Sequence, residues 1–374
     1  MRILVDARGL LEEFRAGVEG YTWQMLINLK RIYPEDEYIL FSYSWKKQPD
    51  REISRCFEWI HKKWPNKLAS LSWRFLQWPK ADRYCRDIDW VWYPNIRFMP
   101  VSKGIKKVVT VHDLSFELLP ECYRIQSKWW HWYMNIKNNI KNAELVLAVS
   151  KTTARDVEEV YGIDNNKVKW HHLGVELVES KINIRNKYGL TSKYFLHVGT
   201  LEKRKNVLSL IEAYILWLNM QINKGISKDS LPDMVLVGGK GWSMNNNLWE
   251  MIRMEKKIRY LGFVDEMDKE SLISSAMVLF YVSFYEGFGF PPLEAMRLGV
   301  PVISSFAGSL GEVLEDKVLM VDSLSLTQIV GAMEMVYQDN SGEQVFGRDK
   351  YVEDNFKWEK TAEFFRQNLV EFEN

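Results

Sequence analysis

Short apolar runs alternate along the whole chain with longer segments that have the residue pattern of helices. Continuous apolar runs of this length are typical of buried parallel strands. They lie at 3–5, 38–41, 89–95, 106–111, 145–150, 168–175, 194–199, 234–239, 259–264, 277–282 and 302–303. Strands that alternate with helices predict an α/β protein. A polar, charged stretch from Glu176 to about Tyr188 separates two groups of strands, so we predict two doubly wound domains.

The segment 277–303 carries the strongest chemical signal, and it reads as strand, glycine loop, helix and strand. Glu286 closes the first strand, and Glu294 lies in the first turns of the helix. Gly287 and Gly289 allow a ligand to approach the backbone closely. Because the N-terminus of a helix favours negative charge, this loop suits an anionic ligand.

Two other strand ends carry polar side chains. The strand at 194–199 is followed by the sequence Glu-Lys-Arg-Lys-Asn, in which Arg204 and Lys205 stand at the start of a helix. Two cations at a helix N-terminus favour a diphosphate ligand. His112 follows the strand at 106–111, a position that points into the crevice of a doubly wound sheet.

These segments resemble one family. The run EGFGFPPLEAM followed by LGVPVISS resembles the Glu-x7-Glu motif of retaining GT-B glycosyltransferases of family 4, also called glycosyl transferases group 1. The sequence GTLEKRKN resembles the donor-phosphate loop of the family, although Thr200 stands where many members have Arg. His112 and Asp113 resemble the His-Asp dipeptide of the family. The resemblance covers nearly the whole chain and is loosest between 43 and 85.

The resemblance implies the GT-B fold, in which two Rossmann-like doubly wound domains face each other across a cleft. A C-terminal helix then crosses back to the first domain. We place an N-terminal acceptor domain at 1–178, a donor domain at 179–357 and a terminal helix, packed on the first domain, at 358–374.

The same resemblance implies roles for individual residues. Glu286 and His112 act at the transferred sugar, Arg204 and Lys205 bind the donor diphosphate, and Glu294 accepts hydrogen bonds from the ribose. On this division of roles, Glu286→Gln is expected to leave binding of a bare nucleoside diphosphate near normal. The remaining donor-binding candidates are Gly17, which opens the first long helix, together with Phe263, Val264, Gly287, Phe288, Gly289, Phe290 and Leu293.

The implied reaction is transfer of a sugar, with a lean toward mannose, from a GDP- or UDP-linked donor to a glycan or lipid-linked acceptor. Retention of configuration is implied, either through a carboxylate nucleophile or through a front-face route. Since no Asp-x-Asp motif stands at a strand end, we expect a reaction without metal or other cofactor.

Composition adds a charge asymmetry to this interpretation. The chain has 374 residues and a formal net charge of +1, which gives no signal for nucleic acid. Residues 51–107, however, hold 13 basic and 5 acidic residues. This basic block would suit an acidic acceptor or an anionic lipid surface. We therefore expect a peripheral membrane contact through the N-terminal domain.

Three cysteines, Cys56, Cys85 and Cys122, lack metal-ligand spacing and leave one unpaired, which favours a reducing compartment. The first residues show no signal-peptide pattern, and no apolar run reaches the length of a bilayer span. The expected location is the cytoplasm, at the inner face of the membrane.

A long helix is predicted from Lys128 to about Asn142, with aromatic residues 129, 132 and 133 on one face. This face is either a core stripe or an acceptor or membrane contact. The Trp-rich stretch 45–80 has no assigned structure. Two other classes stay open, namely another GT-B enzyme (a nucleotide-sugar epimerase or a sugar phosphorylase) and a non-catalytic nucleotide-sugar-binding protein.

Overall fold

The structure is a computed structural model, and it describes residues 1–12, 17–124, 126, 133–177, 183–190, 194–241, 246–339 and 349–372. Contacts within the chain divide it into two compact units. The first unit comprises Met1–Leu114, Ile125–Gly174 and Lys357–Asn374, and the second comprises Ser115–Arg124 and Val175–Phe356. The predicted boundary at 178/179 falls outside the described residues, so the predicted domain limits stay predictions.

A seven-stranded, entirely parallel sheet forms the centre of the first unit, with the strand order β3-β2-β1-β4-β5-β6-β7. Because the chain begins near the middle and builds outward in both directions, the order reverses between β1 and β4, as in doubly wound folds. The strands are β1 Arg2–Asp6, β2 Glu37–Tyr43, β3 Trp59–Lys62, β4 Trp90–Tyr93, β5 Lys106–Val111, β6 Leu145–Ala148 and β7 Val168–Trp170.

A six-stranded parallel sheet forms the centre of the second unit, with the order β10-β9-β8-β11-β12-β13. Here the order reverses between β8 and β11. The strands are β8 Tyr194–Val198, β9 Asp233–Val237, β10 Ile258–Gly262, β11 Val278–Tyr281, β12 Val302–Ser305 and β13 Leu319–Val321. The two parallel sheets confirm the predicted α/β class with two doubly wound domains.

Helices connect these strands. In chain order they are α1 Val18–Ile32, α2 Arg51–Cys56, α3 Asn66–Phe75, α4 Ser115–Leu118, α5 Ile136–Lys141, α6 Lys151–Tyr161, α7 Ile184–Tyr188, α8 Val207–Asn223, α9 Asn246–Met254, α10 Glu266–Ser274, α11 Phe290–Arg297, α12 Leu310–Leu314, α13 Leu326–Gln338, α14 Asp349–Asn355 and α15 Trp358–Glu371.

The second sheet lies against a large aromatic and aliphatic core. Phe195 of β8 and Phe280 of β11 meet with ring centroids 5.5 Å apart, and Trp217 of α8 lies 5.2 Å from Phe195. All three side chains are fully buried. Burial of each such side chain stabilises the fold by roughly 1.5–3 kcal/mol, so this core holds β8 and β11 rigidly side by side.

The C-terminal helix α15 belongs to the first unit, where it packs on α1. The ring of Phe365 packs at a tilt against the ring of Trp92 of β4, with ring centroids 4.8 Å apart. Gly174 permits this approach, since a Cβ at that position would lie 2.3 Å from the backbone nitrogen of Trp358.

Two stretches differ from what the sequence indicated. The unassigned Trp-rich stretch forms α2, β3 and α3. The predicted continuous helix to Asn142 is wrong at Asn135, which has φ 52° and stands immediately before α5. Asn tolerates this left-handed conformation better than most residues, so a new helix starts there. Of the predicted aromatic face, residues 129 and 132 lie outside the described residues.

Candidate active site

Three predicted site residues, Arg204, Lys205 and Glu286, meet at the carboxyl ends of β8 and β11, where the strand order of the second sheet reverses. After β8 the chain forms a 3₁₀ turn over Lys203–Lys205 before α8 begins. Asn206, at φ 54°, links the turn to the helix, and its amide donates to backbone oxygens of Val282 and Ser323. The turn is thereby fixed to the ends of β11 and β13.

Arg204 joins this turn to the loop after β11. Its Nη1 donates to the backbone oxygen of Tyr285 at 2.7 Å and to Glu286 Oε2 at 3.0 Å. Its Nη2 donates to Glu202 Oε1 at 2.8 Å, and its own backbone oxygen accepts from Phe284 N at 2.8 Å. The guanidinium is therefore held by two carboxylates and a carbonyl.

Lys205 is buried, and its Nζ donates to Glu286 Oε1 at 2.6 Å and to the hydroxyl of Tyr281 at 2.7 Å. Burial lowers the pKa of this ammonium, and the adjacent Glu286 carboxylate opposes that effect. Tyr281 was not singled out from the sequence because it reads as one more apolar strand residue.

The carboxyl of Glu286 is the anion shared by these two cations. Burial by itself would raise its pKa, but the charges of Arg204 and Lys205 outweigh burial and lower the pKa to about 2. With Glu202 counted, two carboxylates face two cations, so the formal charges balance. An incoming diphosphate would consequently have to take over cations that already have partners.

The backbone of Glu286 is held by the loop that follows β12. Ser309 N donates to the backbone oxygen of Glu286 at 2.9 Å. Gly308 has φ +63°, and a Cβ there would lie 2.3 Å from the same oxygen. Only glycine allows this approach without displacement. The sequence placed this loop after β12, but it carried no sign of this contact.

The predicted glycine loop leads directly into α11. Gly289 has φ 100° and precedes Phe290, the first helical residue, and a Cβ on Gly289 would lie 2.7 Å from Leu310. Gly287 and Phe288 are buried in the same loop, and the rings of Phe288 and Phe290 meet at 5.1 Å. The loop is thus closely packed against α12.

Glu294 lies in α11, next to the fully buried Leu293. Its Oε1 accepts from Nζ of Lys269 in α10 at 3.0 Å, and Lys269 also binds Glu266 at 2.6 Å. Its Oε2 is buried and has no hydrogen-bond partner among the described residues. Burial raises the pKa of Glu294 although Lys269 opposes this effect. A buried, unpartnered carboxylate oxygen is suited to accept from a ligand hydroxyl.

Lys269 was missed by sequence reasoning. Burial would lower its pKa, but the carboxylates of Glu294 and Glu266 outweigh burial and raise it. The i, i+3 spacing to Glu266 was visible in the sequence. Its contact with Glu294, across two helices, needed the tertiary structure.

His197 is a further residue that sequence reasoning missed. Its Nδ1 lies 3.1 Å from the backbone oxygen of Phe280, to which it donates, and burial lowers its pKa to about 4. Its Nε2 is buried without a hydrogen-bond partner among the described residues. A polar residue within the apolar run 194–198 was the available signal.

Phe263 and Val264, the predicted base-contacting residues, follow β10 at the carboxyl ends of the strands of the second sheet, where Arg204 and Glu286 also lie. The Phe263 side chain is exposed and Val264 is buried. They precede Asp265, whose carboxylate caps α10 by accepting from the backbone nitrogen of Asp268 at 2.8 Å.

Gly17 and His112 belong to the first unit. Gly17, at φ 59°, precedes α1, and Tyr21 one turn later meets the His112 ring edge-on at 4.8 Å. His112 Nε2 donates to the backbone oxygen of Pro94 at 2.8 Å, which leaves the lone pair on Nδ1. Burial lowers the pKa of His112, which favours the neutral imidazole. Tyr21 was not identified as its neighbour from the sequence.

Among the described residues, no group of three or more His, Cys, Asp and Glu side chains is arranged to hold a metal ion. A helix long and apolar enough to cross a bilayer is likewise not found in the described part of the chain.

Family models match both halves of the chain. Residues 16–179 match the model described as glycosyltransferase family 4, and residues 180–352 match glycosyl transferases group 1. Together with the two doubly wound sheets, these matches define a GT-B glycosyltransferase. The chain belongs to glycosyltransferase family 4, the glycosyl transferases group 1.

Curated relatives include two mannosyltransferases. The chain is 31% identical to O-antigen chain mannosyltransferase B of Escherichia coli over 265 residues. The aligned region covers 68% of this chain and 67% of the relative. It is 28% identical to O-antigen chain mannosyltransferase RfbU of Salmonella typhimurium strain LT2 over 221 residues. This second aligned region covers 58% of this chain and 56% of that relative. The second match thus spans little more than half of the relative's length.

Solved structures share the fold. Sucrose-phosphate synthase of Thermosynechococcus elongatus superimposes with a TM-score of 0.76 at 17% identity, over 99% of each chain. HepE of Anabaena, solved in complex with UDP-glucose, gives a TM-score of 0.71 at 17% identity, over 99% of this chain and 100% of that chain. At such identity the likeness shows the fold alone.

Proposed function

We propose that the chain transfers a sugar, with mannose the first candidate, from a nucleotide-sugar to a glycan or lipid-linked acceptor in surface-glycan assembly. The names of the two curated mannosyltransferase relatives support the choice of sugar and of acceptor class. The nucleotide-sugar donor is supported by the chemistry of the second unit.

The observation that carries the proposal is the cluster of Arg204, Lys205 and Glu286 at the switch point between β8 and β11. Ligands of doubly wound sheets bind at this place. Two fixed cations there suit the two phosphates of a nucleoside diphosphate. A carboxylate beside them suits the sugar that the diphosphate carries.

Arg204 and Lys205 would balance the charge that develops on the diphosphate as the bond to the sugar breaks. Because protein cations can supply this charge, we propose a reaction that needs no divalent metal. Glu286, once its cations turn to the diphosphate, would have both carboxylate oxygens available for the sugar. Retention of configuration follows from the resemblance to the retaining family, and His112 is assigned to the transferred sugar on the same ground.

Glu294 is assigned to the ribose, because its buried Oε2 lacks a partner among the described residues. The loop with Phe263 and Val264 lies at the same edge of the sheet and is assigned to the base. No side chain there selects guanine over uracil, so GDP and UDP are both candidates. We place the chain in the cytoplasm, at the membrane surface where a lipid-linked acceptor would lie.

A thermal-shift screen with GDP, UDP, ADP and their sugars tests the donor class. A nucleotide at a hundred times its dissociation constant should stabilise the protein by about 2.7 kcal/mol. Lys205→Ala should abolish the shift. Lys224→Ala removes a surface lysine that pairs with Glu334 at 2.7 Å, so this control should keep it.

No shift with any nucleotide, or an equal shift in Lys205→Ala, would contradict the assignment. Transfer from the stabilising nucleotide-sugar to a mannose-containing acceptor, with and without EDTA, then tests the reaction. Activity that EDTA removes and manganese restores would refute metal independence.

A further inference from the structure

Helix α3 has apolar side chains on two opposite faces. Ala69 and Trp73, one turn apart, are buried, and the Trp73 ring meets the ring of Tyr43 in β2 edge-on at 4.8 Å. Leu71 and Phe75, also one turn apart, point the other way, and they are 52% and 69% exposed. One face therefore attaches the helix to the first sheet, while the second remains open to solvent.

The segment after α3 extends the open face. Leu76 is 71% exposed and Trp78 is 56% exposed. The Ser72 hydroxyl donates to the backbone oxygen of Trp78, and Gln77 Nε2 donates to the backbone oxygen of Trp73 at 2.8 Å. These hydrogen bonds hold the segment against the helix, so its exposed side chains are presented by an ordered surface. We name Leu71, Phe75, Leu76 and Trp78 the α3 patch.

Tyr133, the described member of the predicted aromatic face, lies beside the α3 patch. Its ring meets the Phe75 ring at 6.2 Å. Clusters of exposed large apolar side chains on a soluble domain mark interaction sites, since a folded protein gains by covering them.

The charged residues within the segment that carries the α3 patch have one sign. Residues 69–80 contain Arg74 and Lys80 and no acidic residue. The Arg74 guanidinium carbon lies 5.9 Å from the centroid of the Phe75 ring, so a cation flanks the exposed aromatic. Trp, Phe and Leu beside Lys and Arg are the residues that bind the interfacial region of anionic bilayers.

A bilayer fits these observations better than a protein partner. The cores of protein interfaces are depleted of charged residues, lysine among them, and are surrounded by a polar rim. Here the cations stand beside the apolar side chains without a nearby acid in the segment. A continuous anionic surface would satisfy the cations at the same time as it covers the apolar groups.

We propose that the α3 patch is a docking surface for the anionic face of a lipid bilayer. Leu71, Phe75, Leu76 and Trp78 enter the interface, and Arg74 and Lys80 contact lipid phosphates. This inference rests on the proposed function in one respect, namely that the acceptor lies at a membrane. It identifies the surface that would hold the first unit there.

Co-sedimentation of the full chain with vesicles tests the proposal. Vesicles are made of phosphatidylcholine alone or of an equimolar mixture with phosphatidylglycerol. We expect binding to the mixed vesicles that weakens with added salt. Phe75→Ser/Leu76→Ser should reduce the partition coefficient at least about tenfold, because two large side chains leave the interface. Arg74→Gln should reduce it about fivefold, and only with phosphatidylglycerol.

The matched control is Leu216→Ser/Met254→Ser. These side chains lie in the second unit and are 48% and 78% exposed. The control should bind vesicles like the wild type, and all three variants should keep the wild-type melting temperature because the changed side chains are exposed or half-buried. Failure of the wild type to bind mixed vesicles overturns the proposal, as does equal loss of binding in patch and control variants.

A second copy of this chain is the other candidate occupant. If light scattering shows a dimer that Phe75→Ser/Leu76→Ser makes monomeric, the membrane proposal is wrong. The nucleotide thermal shift, measured on the same variants, separates this inference from the proposed function. Loss of vesicle binding with an intact nucleotide shift concerns the α3 patch alone, whereas absence of any nucleotide shift concerns the transferase assignment alone.

Discussion

Replacing Glu286 by Gln tests whether this carboxylate competes with a diphosphate for Arg204 and Lys205. Glu286 binds the two cations at 3.0 and 2.6 Å, and its side chain is only 7% exposed. A diphosphate that engages both cations must therefore displace Glu286 from them. Gln has the same size and no charge. We expect Glu286→Gln to bind nucleoside diphosphates more tightly than the wild type while it loses transfer.

The magnitude follows from the pKa of Glu286. The surrounding charges and burial together lower this pKa from 4.5 to about 2, which corresponds to about 3 kcal/mol in favour of the ionised carboxylate. That figure is the net preference that remains after burial has opposed the two cations, and it sets the scale of what a diphosphate has to overcome at this residue. We expect the affinity to rise between about 10-fold and about 100-fold, since part of the interaction persists through rearranged contacts.

The same substitution, Glu286→Gln, should lower the stability of the ligand-free protein while it raises the affinity for the diphosphate. Without Glu286, the buried Lys205 ammonium loses its anionic partner, and removal of one member of a buried ion pair costs roughly 3–5 kcal/mol. Arg204 keeps Glu202 as a partner at 2.8 Å. The ligand-free variant should melt at a lower temperature, and a nucleoside diphosphate should raise its melting temperature more than it raises that of the wild type.

Calorimetric titration with GDP and UDP measures the affinity, and Glu334→Gln provides the control. Glu334 of α13 also binds a lysine, Lys224, at 2.7 Å, and it accepts from Trp217 of α8 at 2.9 Å. These contacts lie away from the Arg204, Lys205 and Glu286 cluster. The control should lose stability without gaining affinity. If Glu286→Gln binds the diphosphate with wild-type affinity or more weakly, Glu286 does not compete for the cations and the reasoning is refuted.

Three further variants test neighbouring features. Lys269→Met removes the cation that opposes the effect of burial on Glu294 of α11, and the pKa of Glu294 should therefore rise further. Affinity for the nucleoside diphosphate should then fall as the pH decreases, and the fall should begin at a higher pH in the variant than in the wild type, as measured by calorimetry; coinciding pH profiles would exclude this role. The pKa of His197 is lowered to about 4 in the folded state. Between that value and the ordinary 6.5 the unfolded chain binds a proton that the native chain does not, so stability falls as the pH falls. His197→Asn should abolish about 2 kcal/mol of the loss between pH 7 and pH 5 in denaturant titrations, and an equal loss in both proteins would contradict the assignment. Gly308→Ala places a Cβ 2.3 Å from the Glu286 backbone oxygen and should lower kcat and stability, whereas Gly162→Ala, at nearly the same φ and with nothing within 4 Å, should show only the strain of about 1–2 kcal/mol. Equal effects of the two alanines on stability and kcat would refute the contact.

The local sequence was sufficient to predict most of the strands and to place candidate polar side chains at their ends. Apolar runs separated by helical segments predicted two groups of parallel strands, because side chains buried on both faces of a sheet leave no polar alternation. Arg204, Lys205 and Glu286 were each predicted to be site residues from their place after a strand. The resemblance of the segment 286–294 to family 4 then identified the class.

The sequence was insufficient where backbone conformation depends on distant contacts. The stretch 45–80 gave no assignment, because its Trp residues are divided between the core, as with Trp73, and exposed positions, as with Trp45 and Trp78. The continuous helix predicted to Asn142 failed at Asn135, whose left-handed conformation is not dictated by its neighbours in the chain.

Only the tertiary structure decided how the site residues are paired. Arg204 and Glu286 are separated by 82 residues, yet neighbouring positions of β8 and β11 in the sheet bring them within hydrogen-bond distance. The expectation that Glu286→Gln leaves diphosphate binding near normal treated the carboxylate and the cations as separate groups. Strand order joins them into one ion-pair network, and strand order is a property of the folded sheet that a one-dimensional pattern of residues does not contain.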